Sequence, residues 1–248
     1  MGKQKMLPKR VILAHRLLSI IFPPRCASCR APLPIPCYKL LCRRCMAGII
    51  PITGPICKQC GRPFETSSGP DHICSTCIAH PPPFTLARSM FQFSSTIKEL
   101  IHRFKYQGDL CAMECLAHAA INWMKTNRWT TIDADTCILP IPLHKKKLRQ
   151  RGFNQAAMLA HEIFGRTKVR TGILEKTRHT PSQVGLPAKE RHKNLSGAFA
   201  CRPLPSNVIR IIIFDDVFTT GATAAHTALA VRKTGIKDIK VLALARTP

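Results

Sequence analysis

Two groups of residues in this sequence have types and spacings that could do chemistry. The first is four C-x-x-C pairs: Cys26 and Cys29, Cys42 and Cys45, Cys57 and Cys60, Cys74 and Cys77. The second is IIIFDDVFTTGAT, residues 211 to 223, where an apolar run meets the adjacent carboxylates Asp215 and Asp216 and then a small, hydroxyl-rich loop. The chain has 38 Lys+Arg but only 13 Asp+Glu, so two acids side by side need a reason.

Each cysteine pair makes a knuckle that offers two thiolates, and two knuckles complete a tetrahedral zinc site. Twelve residues separate the first two pairs and thirteen the last two, the spacing of a zinc ribbon. Eight cysteines therefore predict two closed, structural zinc sites. Sequential pairing gives Cys26, Cys29, Cys42 and Cys45 in one and Cys57, Cys60, Cys74 and Cys77 in the other, with interleaved pairing left open by the spacing. The competing reading is redox pairs or disulfides, against which four pairs at ribbon spacing weigh heavily. Cys37 fits no pair. Cys111, Cys115 and His118 share a helix face, but three such positions are read as packing, as are Trp123 and Trp129.

In the second group, Thr219, Thr220, Gly221, Ala222 and Thr223 would present successive backbone N–H groups, hydroxyls and a helix N-terminus, a cradle for a phosphate monoester. The Gly-Lys-Ser/Thr ending of a Walker loop is missing. Carboxylates beside an anion site make sense if the ligand also carries vicinal hydroxyls. A ribose 5-phosphate unit supplies both: the acids hold the sugar and the loop holds its phosphate. The plainer alternative is a strand–turn–helix with acids placed near a helix N-terminus.

These groups need elements to position them. Residues 1 to 25 form a basic amphipathic lead, 26 to 80 a Cys-, Pro- and Gly-rich segment without apolar periodicity, and 84 to 248 a longer unit. His80-Pro81-Pro82-Pro83 is a stiff linker between the last two. A core-poor segment such as 26 to 80 must be held by something other than a core, and zinc binding would supply that folding energy. Beyond the linker, strands are expected at 86–93, 136–142, 207–214 (ending at the acids) and 239–246. Helices are expected from a capping box at Thr96–Glu99, from Asn154 to about Phe164, and from Ala222 to about Thr234. Strand–helix alternation predicts an α/β fold with a parallel sheet.

The net charge of +25 points to a polyanionic partner, a nucleic acid or a phosphate-rich small molecule. Lys39, Arg43, Arg44, Lys58 and Arg62 surround the knuckles and would suit backbone contact; a solvated surface is the bland alternative. The apolar run VILAHRLLSIIF, 11 to 22, is broken by His15 and Arg16 and followed by Pro23-Pro24-Arg25, which argues against a signal peptide. It is also too short to span a bilayer. A cytoplasmic location is expected.

The 211–223 stretch resembles the 13-residue 5-phosphoribosyl 1-pyrophosphate (PRPP) binding motif of type I phosphoribosyltransferases, with Phe218 in place of the usual small aliphatic residue. Further stretches narrow the likeness: FKYQGD (104–109), RGFNQ (151–155) after ILPIPLHKKKLRQ, and TPSQVGLPAKERHKN (180–194) leading into LSGAF. With the cysteine knuckles, the chain is similar from about residue 20 to Arg246 to the ComF family of bacterial competence proteins.

The resemblance implies a double zinc ribbon joined to a type I phosphoribosyltransferase-like parallel sheet with flanking helices. It places Asp215 and Asp216 on ribose hydroxyls and Thr219, Thr220, Gly221, Ala222 and Thr223 on the 5-phosphate. The turn after Pro140, with Lys145, Lys146, Lys147, Arg149 and Arg151, would face pyrophosphate bridged by Mg²⁺. His144 belongs to the same basic turn. The segment Arg178–Asn194 would be a hood over the site. Arg178, Gln183, Arg191 and Asn194 are its polar contacts, and Arg178 and Gln183 join the acids as candidate catalytic residues.

Three functions follow. The first is a competence protein handling incoming single-stranded DNA in natural transformation, alongside DNA-uptake or recombination proteins, with a domain that binds PRPP or ribose 5-phosphate. The second is a metabolic phosphoribosyltransferase that transfers ribose 5-phosphate to a base or other nucleophile. The third is a PRPP-sensing, DNA-binding regulator without turnover. Two ribbons and a charge of +25 favour the first, and the intact motif leaves turnover open.

Overall fold

The computed structural model of the chain describes residues 23–34, 40–66, 68–127, 132–180 and 194–247. The lead at 11–22 and Cys37, Lys39, Trp129, Gln183 and Arg191 lie outside the described residues. The central sheet has four parallel strands in the order β1-β6-β5-β2. They are β1 (Leu86–Gln92), β2 (Thr136–Pro140), β5 (Arg210–Phe218) and β6 (Asp238–Arg246). β5 and β6 lie inside the sheet, and their runs Ile211–Phe214 and Val241–Ala245 are buried throughout, as strands covered on both faces require.

Helices α3 (Ser95–Gln107), α4 (Leu110–Asn127) and α6 (Gln155–Phe164) cover one face. Leu100, Phe104, Leu116 and Leu159 pack there with Ile212 and Phe214. The other face carries α7 (Ala222–Arg232) and a small antiparallel pair, β3 (Leu174–Lys176) with β4 (Phe199–Cys201), around Ile211, Ile213 and Val231. The short helix α5 (Lys145–Arg151) follows β2.

Three sequence expectations need correction. The N-cap of α3 is Ser94, whose hydroxyl accepts from the Ile97 amide at 3.4 Å; Thr96 is instead buried inside the helix. The basic turn after Pro140 is a helix, capped by His144 and closed by Gly152 at φ 82°. The strand carrying the acids does not end at them: it pairs with β6 as far as Phe218 opposite Arg246.

The cysteine-rich segment folds around two short helices, α1 (Arg43–Ala47) and α2 (Ser75–Ala79). It rests on the sheet directly. The Ile52 amide donates to Met90 O at 2.9 Å, the Gln92 amide to Ile50 O at 2.8 Å and the Ala87 amide to Gln59 O at 2.7 Å, so residues 50–59 run along β1. Cys26, Leu41 and Cys45 belong to the same apolar cluster as Ile97 and Leu116. Across the sheet, Val169 bridges Ile138 beside β2. Among the described residues, no helix is long and apolar enough to cross a membrane.

Candidate functional site

The eight paired cysteines converge into two sets, Cys26, Cys29, Cys42 and Cys45, and Cys57, Cys60, Cys74 and Cys77; within each set the sulfurs lie within 4.8 Å of one another. The sequential pairing is therefore the one the fold makes. Four sulfurs around one zinc ion at about 2.3 Å would stand about 3.8 Å apart. The Cys29–Cys42 and Cys60–Cys74 sulfurs are 3.7 and 3.9 Å apart.

Backbone amides already point at these sulfurs. Cys42 N–H donates to Cys26 Sγ at 3.4 Å and Cys74 N–H to Cys57 Sγ at 3.3 Å. Burial alone would raise the Cys26 and Cys57 thiols, but the amides outweigh it and bring both to about 6. Burial, reinforced by the facing sulfurs, pushes Cys45 up to about 12 and raises Cys77 further. A set that holds some thiols as thiolates and crowds the rest suits a divalent cation, which relieves the crowding. The geometry supports structural zinc at both sets. Arg43, Arg44, Lys58 and Arg62 are exposed around them.

The second site lies at the carboxyl ends of β2 and β5. Asp216 is 4 % exposed and points to the helical face, where it pairs with Lys105 Nζ of α3 and accepts from Gln155 Nε2 of α6 at 3.3 Å. Gln155 Oε1 in turn accepts from Arg151 Nη1 at 2.6 Å. Burial would raise Asp216, but the charge and hydrogen bond of Lys105 hold it below the usual carboxylate range. Asp215 is half-buried, and its Oδ1 accepts from the Asp216 amide at 2.9 Å. Burial and then the Asp216 charge push its carboxyl well above the usual range. Lys147 and Lys176 stand close by. Burial and then Arg151 and Lys105 depress Lys147; burial and then Lys147 bring Lys176 down to about 8. Lys145, Lys146 and Arg149 remain exposed and make no ion pair with the described residues.

Every residue of RGFNQ has a visible task. Arg151 and Gln155 form the chain to Asp216, and Gly152 ends α5. Phe153 stacks on Phe104 at 5.1 Å. Asn154 caps α6 through Ala157 N–H at 3.1 Å and donates to Ile141 O at 3.0 Å. In FKYQGD, Phe104 fills the core and Gly108 closes α3, while Asp109 pairs with buried Arg103 at 2.7 Å and accepts from Ala112 N–H at 3.2 Å. Lys105 and Gln155 contact Asp216 directly, and motif reading did not single them out.

The loop after β5 turns at Gly221, with φ 79°. A Cβ there would sit 2.7 Å from Phe218 Cζ, so both the backbone and the ring beneath it require glycine. Thr220 Oγ1 accepts from Ala222 N–H at 3.4 Å, and Ala222 and Thr223 open α7. The expected hood springs from the β3–β4 pair. Arg178 Nη2 donates to Asn194 O at 2.9 Å and Ser196 O at 2.8 Å, clamping its base. The His179 ring meets His144 edge-on at 5.1 Å, which joins that base to the start of α5. Arg178 and Asn194 thus meet each other at the base of the hood.

The double zinc ribbon domain family matches residues 17–78. Competence protein F of Haemophilus influenzae is 29 % identical over 227 residues, 90 % of this chain and 96 % of that protein. The DNA utilization protein YhgH of Salmonella typhimurium is 29 % identical over 230 residues, 91 % and 98 % of the two chains. Competence protein ComFC of Bacillus subtilis is 28 % identical over 212 residues, 79 % of each. Two ribbon-type cysteine clusters stand ahead of a parallel α/β sheet, and over most of its length the chain is similar to competence protein F.

Proposed function

We propose that this protein handles single-stranded DNA in competence or DNA utilization, and that the strand-end site binds PRPP or a related ribose 5-phosphate. One observation carries the ligand reading: Lys105, Lys147 and Arg151 gather round Asp216 at the carboxyl ends of parallel strands, beside a loop that turns at Gly221. Such strand ends are where α/β sheets take ligands. The relatives' names, competence protein and DNA utilization protein, support the DNA role.

In this reading Asp215 meets the ribose hydroxyls, Asp216, expected in the same role, is held inward by Lys105 and Gln155 and backs the site from behind, and the amides and hydroxyls of Thr219 to Thr223 take the 5-phosphate. Lys147, Arg149 and Arg151 neutralise the diphosphate, and Arg178, Gln183, Arg191 and Asn194 belong to the hood. Among the described residues the only metal-type clusters are the two cysteine sets. Mg²⁺ would therefore arrive with the diphosphate, keeping water and substrate oxygens as its ligands. Calorimetry with PRPP and Mg²⁺ tests the site. The zinc-loaded native protein should bind, and an Asp215→Ala/Asp216→Ala double variant with native circular dichroism should not. Absence of binding by the folded native protein would sink the ligand reading. Pyrophosphate release on incubation would add turnover.

A further inference from the structure

We propose that the outer surface of α3 and α5 is a track for single-stranded DNA ending at the mouth of the strand-end site, with Tyr106 as its stacking platform. The inference rests on the DNA-handling reading and names the surface that does the work. Tyr106 is 68 % exposed on a helix whose opposite side fills the core. Its ring is not isolated: the Arg151 guanidinium lies 5.3 Å from its centroid, and exposed His102 stands 4.8 Å away, tilted by 45°. Aromatic rings beside cations are what single strands use, because every unpaired base has a π-face to stack.

The backbone of such a strand needs cations along the same surface. On α5, Lys145, Lys146 and Arg149 are exposed, the helix has no acidic residue, and these three make no ion pair with the described residues. On α3, Glu99 is the exposed acid, one turn before His102 and beside exposed Lys98. Consecutive residues link track and site: Lys105 turns inward to Asp216 while Tyr106 faces out. Arg151 serves both, touching the Tyr106 ring and leading through Gln155 to Asp216. The ribbon is the weaker candidate for base stacking. Its Phe64 is half-buried and stacked on the His72 ring, parallel at 3.8 Å, whereas Tyr106 stands out in solvent.

The test uses the full, zinc-loaded chain and an oligothymidylate carrying 5-iodo-deoxyuridine. Illumination should crosslink the oligonucleotide to the peptide containing Tyr106. Tyr106→Ala should weaken single-strand binding about tenfold, the scale of one lost base stack, while Tyr106→Phe stays near native. Charge reversal of Lys145 and Lys146 should flatten the dependence of log K on log salt by about 1.4, at about 0.7 per single-strand phosphate. PRPP affinity should be unmoved by Tyr106→Ala. If the native protein binds single strands but Tyr106→Ala binds equally well and crosslinks fall on ribbon peptides, the track is wrong and the DNA-handling reading stands. Equal binding of duplex and single strand also overturns the track. A native protein that binds no single strand at low salt removes the DNA-handling reading and the track together.

Discussion

Asp216 faces a lysine and an amide, whereas Asp215 faces the charge of its own neighbour. The two therefore act oppositely on stability. A carboxyl whose folded pKa is depressed contributes stability above its unfolded value, near 3.9, and loses it as pH falls through the folded value. Asp216 is of this kind. A carboxyl whose folded pKa is raised costs nothing in acid, and its penalty grows as pH climbs past the unfolded value; this is Asp215. At pH 7, Asp215→Asn should melt about 2–4 °C above native, equivalent to about 1 kcal/mol, and Asp216→Asn below it, since Lys105 loses its charge partner. Near pH 4 the Asp215→Asn gain should vanish, while the Asp216→Asn deficit persists to lower pH. Thermal melts at the two pH values decide this. The acids and the glycine loop were legible in the sequence because strand, loop and helix follow one another without a break. Lys105 was not, because 110 residues separate it from Asp215 and only the packing of α3 on the sheet brings it to Asp216.

At the scale of elements, apolar runs located the four sheet strands. The misses came where tertiary contacts override local signals. Thr96 looks like a cap, but a Cβ on Gly48 would sit 2.4 Å from its Oγ1, so the threonine is held against the ribbon and Ser94 caps instead. Five cations in seven residues argue against a helix, yet His144 and Gly152 bracket α5 and let it form. The pair β3–β4 is three residues a side, too short for alternation to show. Gly61 gives the docking of the ribbon a sharp test: at φ 69°, its Cβ would meet Ala87 O at 2.5 Å. Gly61→Ala should cost about 1–3 kcal/mol. A chromogenic chelator should then draw zinc from the second cluster faster than from native protein.

For the whole molecule, composition predicted a basic protein with a metal-held segment and an α/β segment. It could not show that the two share surfaces, because many of those contacts are backbone groups and arginine side chains that no periodicity announces. Arg246 is 9 % exposed; it donates to Cys60 O at 2.9 Å while its guanidinium lies 4.7 Å from the Phe218 ring. Arg88 donates to Cys57 O at 3.4 Å and Lys58 O at 3.2 Å. The second cysteine cluster is thus tied to the strand that carries the acids and to the ring beneath Gly221.

The hydrogen bonds between residues 50–59 and β1 have a consequence for how copies of the chain treat one another. Val169 shields the outer side of β2, and the ribbon shields the outer side of β1. If the ribbon peels away, β1 offers a row of unsatisfied N–H and C=O groups in a strand with buried Met90 and Phe91, a template for intermolecular pairing. Stripping zinc should therefore make the protein aggregate before it unfolds. Light scattering should rise with a steep dependence on protein concentration while helical ellipticity holds, and zinc restored early should stop the growth. Metal supply would then govern solubility as well as folding, and a cell starved of zinc would lose this protein to clumping.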